Sequence, residues 1–71
     1  MDRKEILDQI EELLDVEDLS EEQLLESVVE YDSMGILILM EWYDSLRVDV
    51  APEEFLSFEL VSELIDRAQK L

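Results

Sequence analysis

Apolar positions along this chain recur at helical spacing in three blocks, separated by acidic connections. In the first block Ile6, Leu7, Ile10, Leu13 and Leu14 alternate with acids, the recurrence of a helix that turns one face to a core. Asp2 followed by Glu5 reads as a capping box, so the pattern predicts a helix over 3–15. Asp15 to Leu19 leaves the pattern and opens a long connection. Within it, Ser20-Glu21-Glu22-Gln23 repeats the capping signature before Leu24, Leu25, Val28 and Val29. That predicts a short helix, one that the β-branched Val28-Val29 pair weakens.

The second block follows Tyr31-Asp32-Ser33-Met34-Gly35, which holds the only glycine of the chain. Asp32 or Ser33 caps a helix running to about Leu46, and its side chains are apolar on almost every side. A chain this short cannot bury such a helix all round. Some of Met34, Leu37, Ile38 and Met40 are therefore expected at the surface, where apolar area marks a contact site. Trp42 and Tyr43 are read as core-facing aromatics; Tyr31 either closes the core beneath the connection or stands beside Ser33. Arg47 to Ala51 reads as an extended link, and Pro52-Glu53-Glu54-Phe55 as a short turn with proline in its first position. Ser57 then caps a last helix with Phe58, Val61, Leu64, Ile65 and Ala68 on one face. The expected fold is all-α: one domain over 1–71, a bundle of three longer helices and one short one.

Composition narrows what such a bundle can do. One Gly and one Pro among 71 residues argue against a turn-rich β fold, and the absence of cysteine leaves stability to packing. Acidic residues number 21 against 5 basic ones, a formal charge of −16. Nucleic acid is excluded as a partner, because phosphate binding needs clustered Lys and Arg, and an anionic membrane surface repels the chain. A partner with a basic docking surface is favoured instead. The longest apolar run, Ile36 to Met40, is too short to span a bilayer. Met1-Asp2-Arg3-Lys4-Glu5 is no secretory leader, so a cytoplasmic monomer is expected.

With no His and no Cys, the usual nucleophile–base pairs are missing, and Asp32 beside Ser33 does not replace them. The chain is not expected to be an enzyme. The alternating acids and glycine of a calcium loop are absent; Asp15, Glu17 and Asp18 form either a weak divalent-cation site or a polar loop. Ser33 is different, because a helix N-terminus favours an anion and would stabilise a phosphate esterified there. The plainer alternative is a simple helix cap.

Taken together, the amphipathic first helix, the long connection, Asp32-Ser33-Met34-Gly35 at the head of an apolar helix and the two closing helices resemble the acyl carrier protein family. The resemblance runs from Ile6 to about Ile65, and Asp32-Ser33-Met34 matches the family's Asp-Ser-Leu signature. It implies that Ser33 carries 4′-phosphopantetheine, whose thiol holds an acyl group as a thioester. It also implies that Asp32 supports modification by a phosphopantetheinyl transferase. Leu25 falls where the family has a core-packing loop leucine, and Phe55 and Ser57-Phe58 where it has a short third and a capped fourth helix. Asp-Ser-Met-Gly, Val48-Asp49 and Glu54-Phe55 look like the D-alanyl carrier proteins in particular, so an aminoacyl or peptidyl cargo is the alternative to a fatty acyl one. Further partners implied are an acyl- or aminoacyl-loading ligase and an acyl-transferring or condensing enzyme of fatty-acid or secondary-metabolite biosynthesis. The chain departs from the family at Val28-Val29-Glu30 and Leu46-Arg47, where glycines are usual, and its second helix holds only Glu41 and Asp44 as acids. That points to a dedicated partner reading Met34, Leu37, Ile38 and Glu41. An unmodified acidic interaction module is the remaining alternative.

Overall fold

A computed structural model describes residues 2–69. Four α-helices follow one another: α1 (Arg3–Leu14), α2 (Ser33–Ser45), α3 (Pro52–Ser57) and α4 (Val61–Gln69), with a 3-10 turn at Leu25–Ser27 between α1 and α2. No strand occurs among the described residues, and the fold is the small all-α bundle that the periodicity predicts. α1 packs on α2 and α4, and α2 packs on α3.

Each helix forms because its caps and its apolar stripe agree. The Asp2 carboxylate accepts the Glu5 amide at 2.8 Å, closing the first turn of α1. Asp15 ends the helix in the left-handed region at φ 57°, and the Val16 amide reaches back to the Glu11 carbonyl at 3.0 Å. Ile6, Ile10 and Leu14 form the buried edge. They meet Leu39 and Tyr43 of α2, Phe55 of α3 and Val61, Leu64, Ile65 and Ala68 of α4 in one core. Leu19, Leu25, Val28, Val48 and Val50 complete it from the connections.

Aromatic rings run through its centre. Trp42 lies 5.3 Å from Tyr43 and Tyr43 5.6 Å from Phe55, and Phe58 meets Phe55 edge-on at 5.8 Å. The Tyr43 hydroxyl donates to the Leu64 carbonyl at 2.6 Å, so the buried phenol is satisfied. Trp42 is half-buried against the core rather than within it.

Two boundaries differ from the sequence expectation. The capping signature at Ser20–Gln23 opens no α-helix: residues 21 and 22 form a turn and only Leu25–Ser27 winds, as a 3-10 turn. The backbone there serves α4 instead. Glu21 and Gln23 carbonyls accept the Ser62 and Val61 amides at 2.9 and 3.0 Å, and the Leu25 amide donates to Glu59 at 2.8 Å. The last helix correspondingly begins at Val61 and not at Ser57. Ser57 ends α3, its hydroxyl donating to the Glu54 carbonyl at 2.7 Å. Phe58 is extended, and Leu60 pairs with Leu24 as an isolated antiparallel bridge. The cap of α4 is Glu63, whose carboxylate accepts the Leu60 amide at 2.7 Å and the Glu59 amide at 2.5 Å.

Two arginines fasten the connections. Arg3 binds Glu21 at 2.6 Å and Asp66 at 2.5 Å, tying α1, the long connection and α4 together. Arg67 binds Glu54 at 3.0 Å and donates to the Asp49 carbonyl, holding the α2–α3 link against α4. Lys70, another of the basic residues, lies outside the described residues.

Tyr31 closes the core beneath the long connection, resolving the alternative left open by the sequence. It is half-buried, and its hydroxyl donates to the Phe55 carbonyl at 2.6 Å. Burial, with the Glu63 charge adding to it, pushes its phenol up to about 12. Burial likewise holds Tyr43 above the ordinary tyrosine range. A raised folded-state value means that the native protein keeps protons the unfolded chain releases near the ordinary tyrosine pKa, about 10. This contribution is complete below pH of about 10 and disappears as pH climbs through the folded values. The urea midpoint is expected to hold to about pH 10 and fall above it, in step with tyrosinate absorbance; Tyr31→Phe, followed the same way, should decline less.

Candidate functional site

The start of α2 brings the singled-out residues together. Asp32 is the N-cap, with an extended backbone and a carboxylate that accepts the Gly35 amide at 3.0 Å. Ser33 is thus the first helical residue and not the cap. Its side chain is exposed. Ser27, Ser45 and Ser57 turn their hydroxyls onto carbonyls three residues earlier. The Ser33 hydroxyl makes no hydrogen bond among the described residues. It stands in solvent at the positive end of a 13-residue helix.

Gly35 is explained by the segment that crosses above it. A Cβ at this position would lie 2.1 Å from the Glu30 carbonyl oxygen and 3.0 Å from a Leu14 methyl. Its φ is not positive, so the glycine serves close approach and not conformation. It lets the connection pass directly over the first turn of α2, which fixes Tyr31, Asp32 and Ser33 in sequence.

From Ser33 an apolar stripe runs down the exposed side of α2. Met34 is 72% exposed, Leu37 60% and Ile38 36%, and Glu41 follows on the same face. Their offsets of three and four residues put them side by side. Met40, considered with them in the sequence, is half-buried against the core instead. The stripe lies between two open grooves. One, of about 260 Å³, is shared with the end of α1 and includes Leu13, Asp15, Glu30, Met34 and Ile38. The other, of about 320 Å³, includes Leu37, Met40, Glu41 and Val50.

Three exposed hydrophobics went unremarked as surface residues: Leu24 at 46%, Val29 at 83% and Leu56 at 79%. Leu24 and Leu56 border a cleft of about 500 Å³ between the long connection and α3, floored by Leu25, Ile36 and Phe55. Leu56 follows the buried Phe55 on the short α3, about 100° further round the helix, and there it turns out of the core.

Asp15 and Asp18 both turn in the left-handed region, and among the described residues no group of three or more acids is placed to hold a metal ion. No described helix is long and apolar enough to cross a membrane. Compared with protein-family models, curated proteins and solved structures, the chain matches none.

Two substitutions separate the site from the core. Gly35→Ala, which in an ordinary exposed helix would stabilise by up to about 1 kcal/mol, is expected to cost about 1–3 kcal/mol here because a backbone oxygen must move. Chemical denaturation reads the sign. By the same measurement, Leu37→Gln should change stability by no more than about 0.5 kcal/mol. Leu39→Ala, two residues on, should cost about 2–5 kcal/mol.

Proposed function

We propose that the chain is a free-standing carrier protein that holds an acyl group on a 4′-phosphopantetheine attached to Ser33. One observation carries this reading. Asp32 takes the cap, and so Ser33 is left with a free, exposed hydroxyl at the head of α2, next to an unburied apolar stripe. A helix needs one capping side chain and not two. The second polar residue of the pair is thereby available for chemistry. The end of α2 favours a phosphodiester because its first amides and its dipole face that anion.

In this reading the chain's own residues bind, orient and present. Ser33 supplies the oxygen that becomes the ester link, and Asp32 holds the first turn in place while its charge assists the phosphopantetheinyl transferase. Met34, Leu37, Ile38 and Glu41 give partner enzymes an apolar face with an acidic end. The arm supplies a terminal thiol, the nucleophile that a chain without Cys lacks. A loading ligase charges that thiol, and an acyl-transferring or condensing enzyme receives the cargo. The reading places the protein in the cytoplasm as a monomer, where its charge of −16 draws basic partner surfaces by long-range attraction. The resemblance of Asp32-Ser33-Met34 to the acyl carrier signature supports it.

A small aminoacyl cargo such as D-alanine is the second reading, and the filled centre of the bundle favours it. Tyr43 and Phe55 are 1% and 0% exposed, leaving the interior between α2 and α3 to aromatic rings and not to a long chain. Loading assays with D-alanine and with fatty acyl donors separate the two.

The decisive experiment is co-expression with a broad-specificity phosphopantetheinyl transferase, followed by intact mass. The wild type is expected to gain one 4′-phosphopantetheine and Ser33→Ala none; circular dichroism should report the same fold, since the Asp32 cap is untouched. An unmodified wild type would leave an acidic interaction module as the reading, and a gain that persists in Ser33→Ala would remove Ser33 from it.

A further inference from the structure

A chain without cysteine carries all of its sulfur as methionine. Of its three methionines, Met34 and Met40 are among the described residues, and both belong to α2. Their surroundings differ. Met40 is half-buried and packs against the core. Met34 is 72% exposed and has no place in that core. It follows Ser33 directly in the first turn of α2, and it borders an open groove beside Leu13, Leu14 and Ile38. The fold thus leaves one thioether open to dissolved reagents, and it stands next to the hydroxyl on which the site is built. An oxidant must reach the sulfur to react, so exposure selects Met34 over Met40.

We propose that Met34 is a reversible oxidation site, and that its oxidation weakens what docks on the front of α2 without disturbing the fold. The inference rests on the carrier reading and deepens it by adding a control on the same site. The oxidant is a hydroperoxide. The Met34 sulfur attacks the terminal peroxide oxygen, an S–O bond forms and the O–O bond breaks. Sulfur gives up two electrons, and the leaving oxygen takes the proton to become an alcohol, or water where hydrogen peroxide reacts. A dithiol reverses the step through methionine sulfoxide reductases, one for each epimer, leaving the thioether, a disulfide and water. Oxidation turns a flexible apolar side chain into a polar one with a strong hydrogen-bond acceptor. Burying that acceptor against an apolar partner surface carries a desolvation cost that the thioether does not. In the free chain the sulfoxide stays in water. The cap of α2 is Asp32, and its core contacts are Leu39 and Tyr43, so neither depends on Met34.

The experiment treats the unmodified chain with hydrogen peroxide and then removes the peroxide with catalase. Peptide mass mapping locates the added oxygen, urea denaturation reads the fold, and a broad-specificity phosphopantetheinyl transferase with coenzyme A reads docking. Met34 is expected to gain its oxygen roughly fivefold faster than Met40. The singly oxidised chain should keep its urea midpoint, while kcat/KM for modification falls roughly tenfold, mostly through KM. The two reductases should restore the rate. Met34→Leu, compared with its own untreated sample, should lose less than about twofold on treatment, and Met40→Leu should respond as the wild type does. Oxidation that reaches Met40 first, a lowered midpoint after Met34 alone is oxidised, a rate unchanged by that oxidation, or a loss that persists in Met34→Leu would each overturn the switch and leave the carrier reading intact. A wild type that accepts no phosphopantetheine before treatment would overturn the carrier reading itself, and the switch with it.

Discussion

Sixteen excess negative charges on 71 residues repel one another, and the fold persists because a continuous apolar core outweighs that repulsion. Ile6, Ile10, Leu39, Phe55, Val61, Leu64 and Ile65 are all at 0–1% exposure. They come from every helix, so no helix is stable in isolation from the others. Coulomb repulsion between exposed acids is weakened by water and salt. Burial of hydrocarbon is not screened in this way, and it prevails. The arginines act where the core cannot, at the rims: Arg3 joins the long connection to both terminal helices, and Arg67 joins the α2–α3 link to α4.

The long connection is ordered by backbone bonds as well as by its buried Leu19, Leu25 and Val28. Its carbonyls at Glu21 and Gln23 satisfy the first amides of α4, donors that a helix end leaves open. Each element thereby completes the other. At its far end the same connection passes over Gly35 so closely that only hydrogen fits between them. These two contacts fix where the chain enters α2. The position of Ser33 is then a consequence of packing at a distance, and not of any bond that its side chain makes.

Much of this was legible in the sequence, because periodicity reports which side of a helix faces a core. The stripe of α1 follows from spacing, the proline-led α3 from Pro52, and the core-facing Tyr43 from the apolar run of α2; the same run called for an exposed subset of Met34, Leu37, Ile38 and Met40, of which all but Met40 are exposed. Two features did not follow, and both are non-local. Ser20-Glu21-Glu22-Gln23 has the composition of a cap, but its backbone is claimed by α4, some forty residues away in sequence. Ser57 reads as a cap and Phe58 as the start of the apolar face of α4, yet Ser57 ends α3, Phe58 is extended and Leu60 pairs with Leu24 before α4 begins at Val61. Local propensity cannot register a partner that the fold supplies later. At the site, the sequence left Asp32 and Ser33 interchangeable as caps. In the folded chain the cap is Asp32, whose carboxylate accepts the Gly35 amide.

That assignment gives the Asp-Ser pair its logic. If Ser33 were the cap, its hydroxyl would be turned inward onto an amide, and any group esterified there would have to break the helix end to form. With Asp32 in that position, the carboxylate keeps the first turn closed whether or not Ser33 is substituted, because its bond is to Gly35 and not to Ser33. Gly35 in turn has no Cβ to push the Glu30 segment away. Helix integrity and a free hydroxyl are therefore held by different residues, and a change at one need not disturb the other. The exposed Met34 and Leu37 follow the same separation, since the core contacts of α2 are met by Leu39 and Tyr43 on the other face. What the front of α2 presents to solvent is free to answer to a partner, while its back answers to the fold.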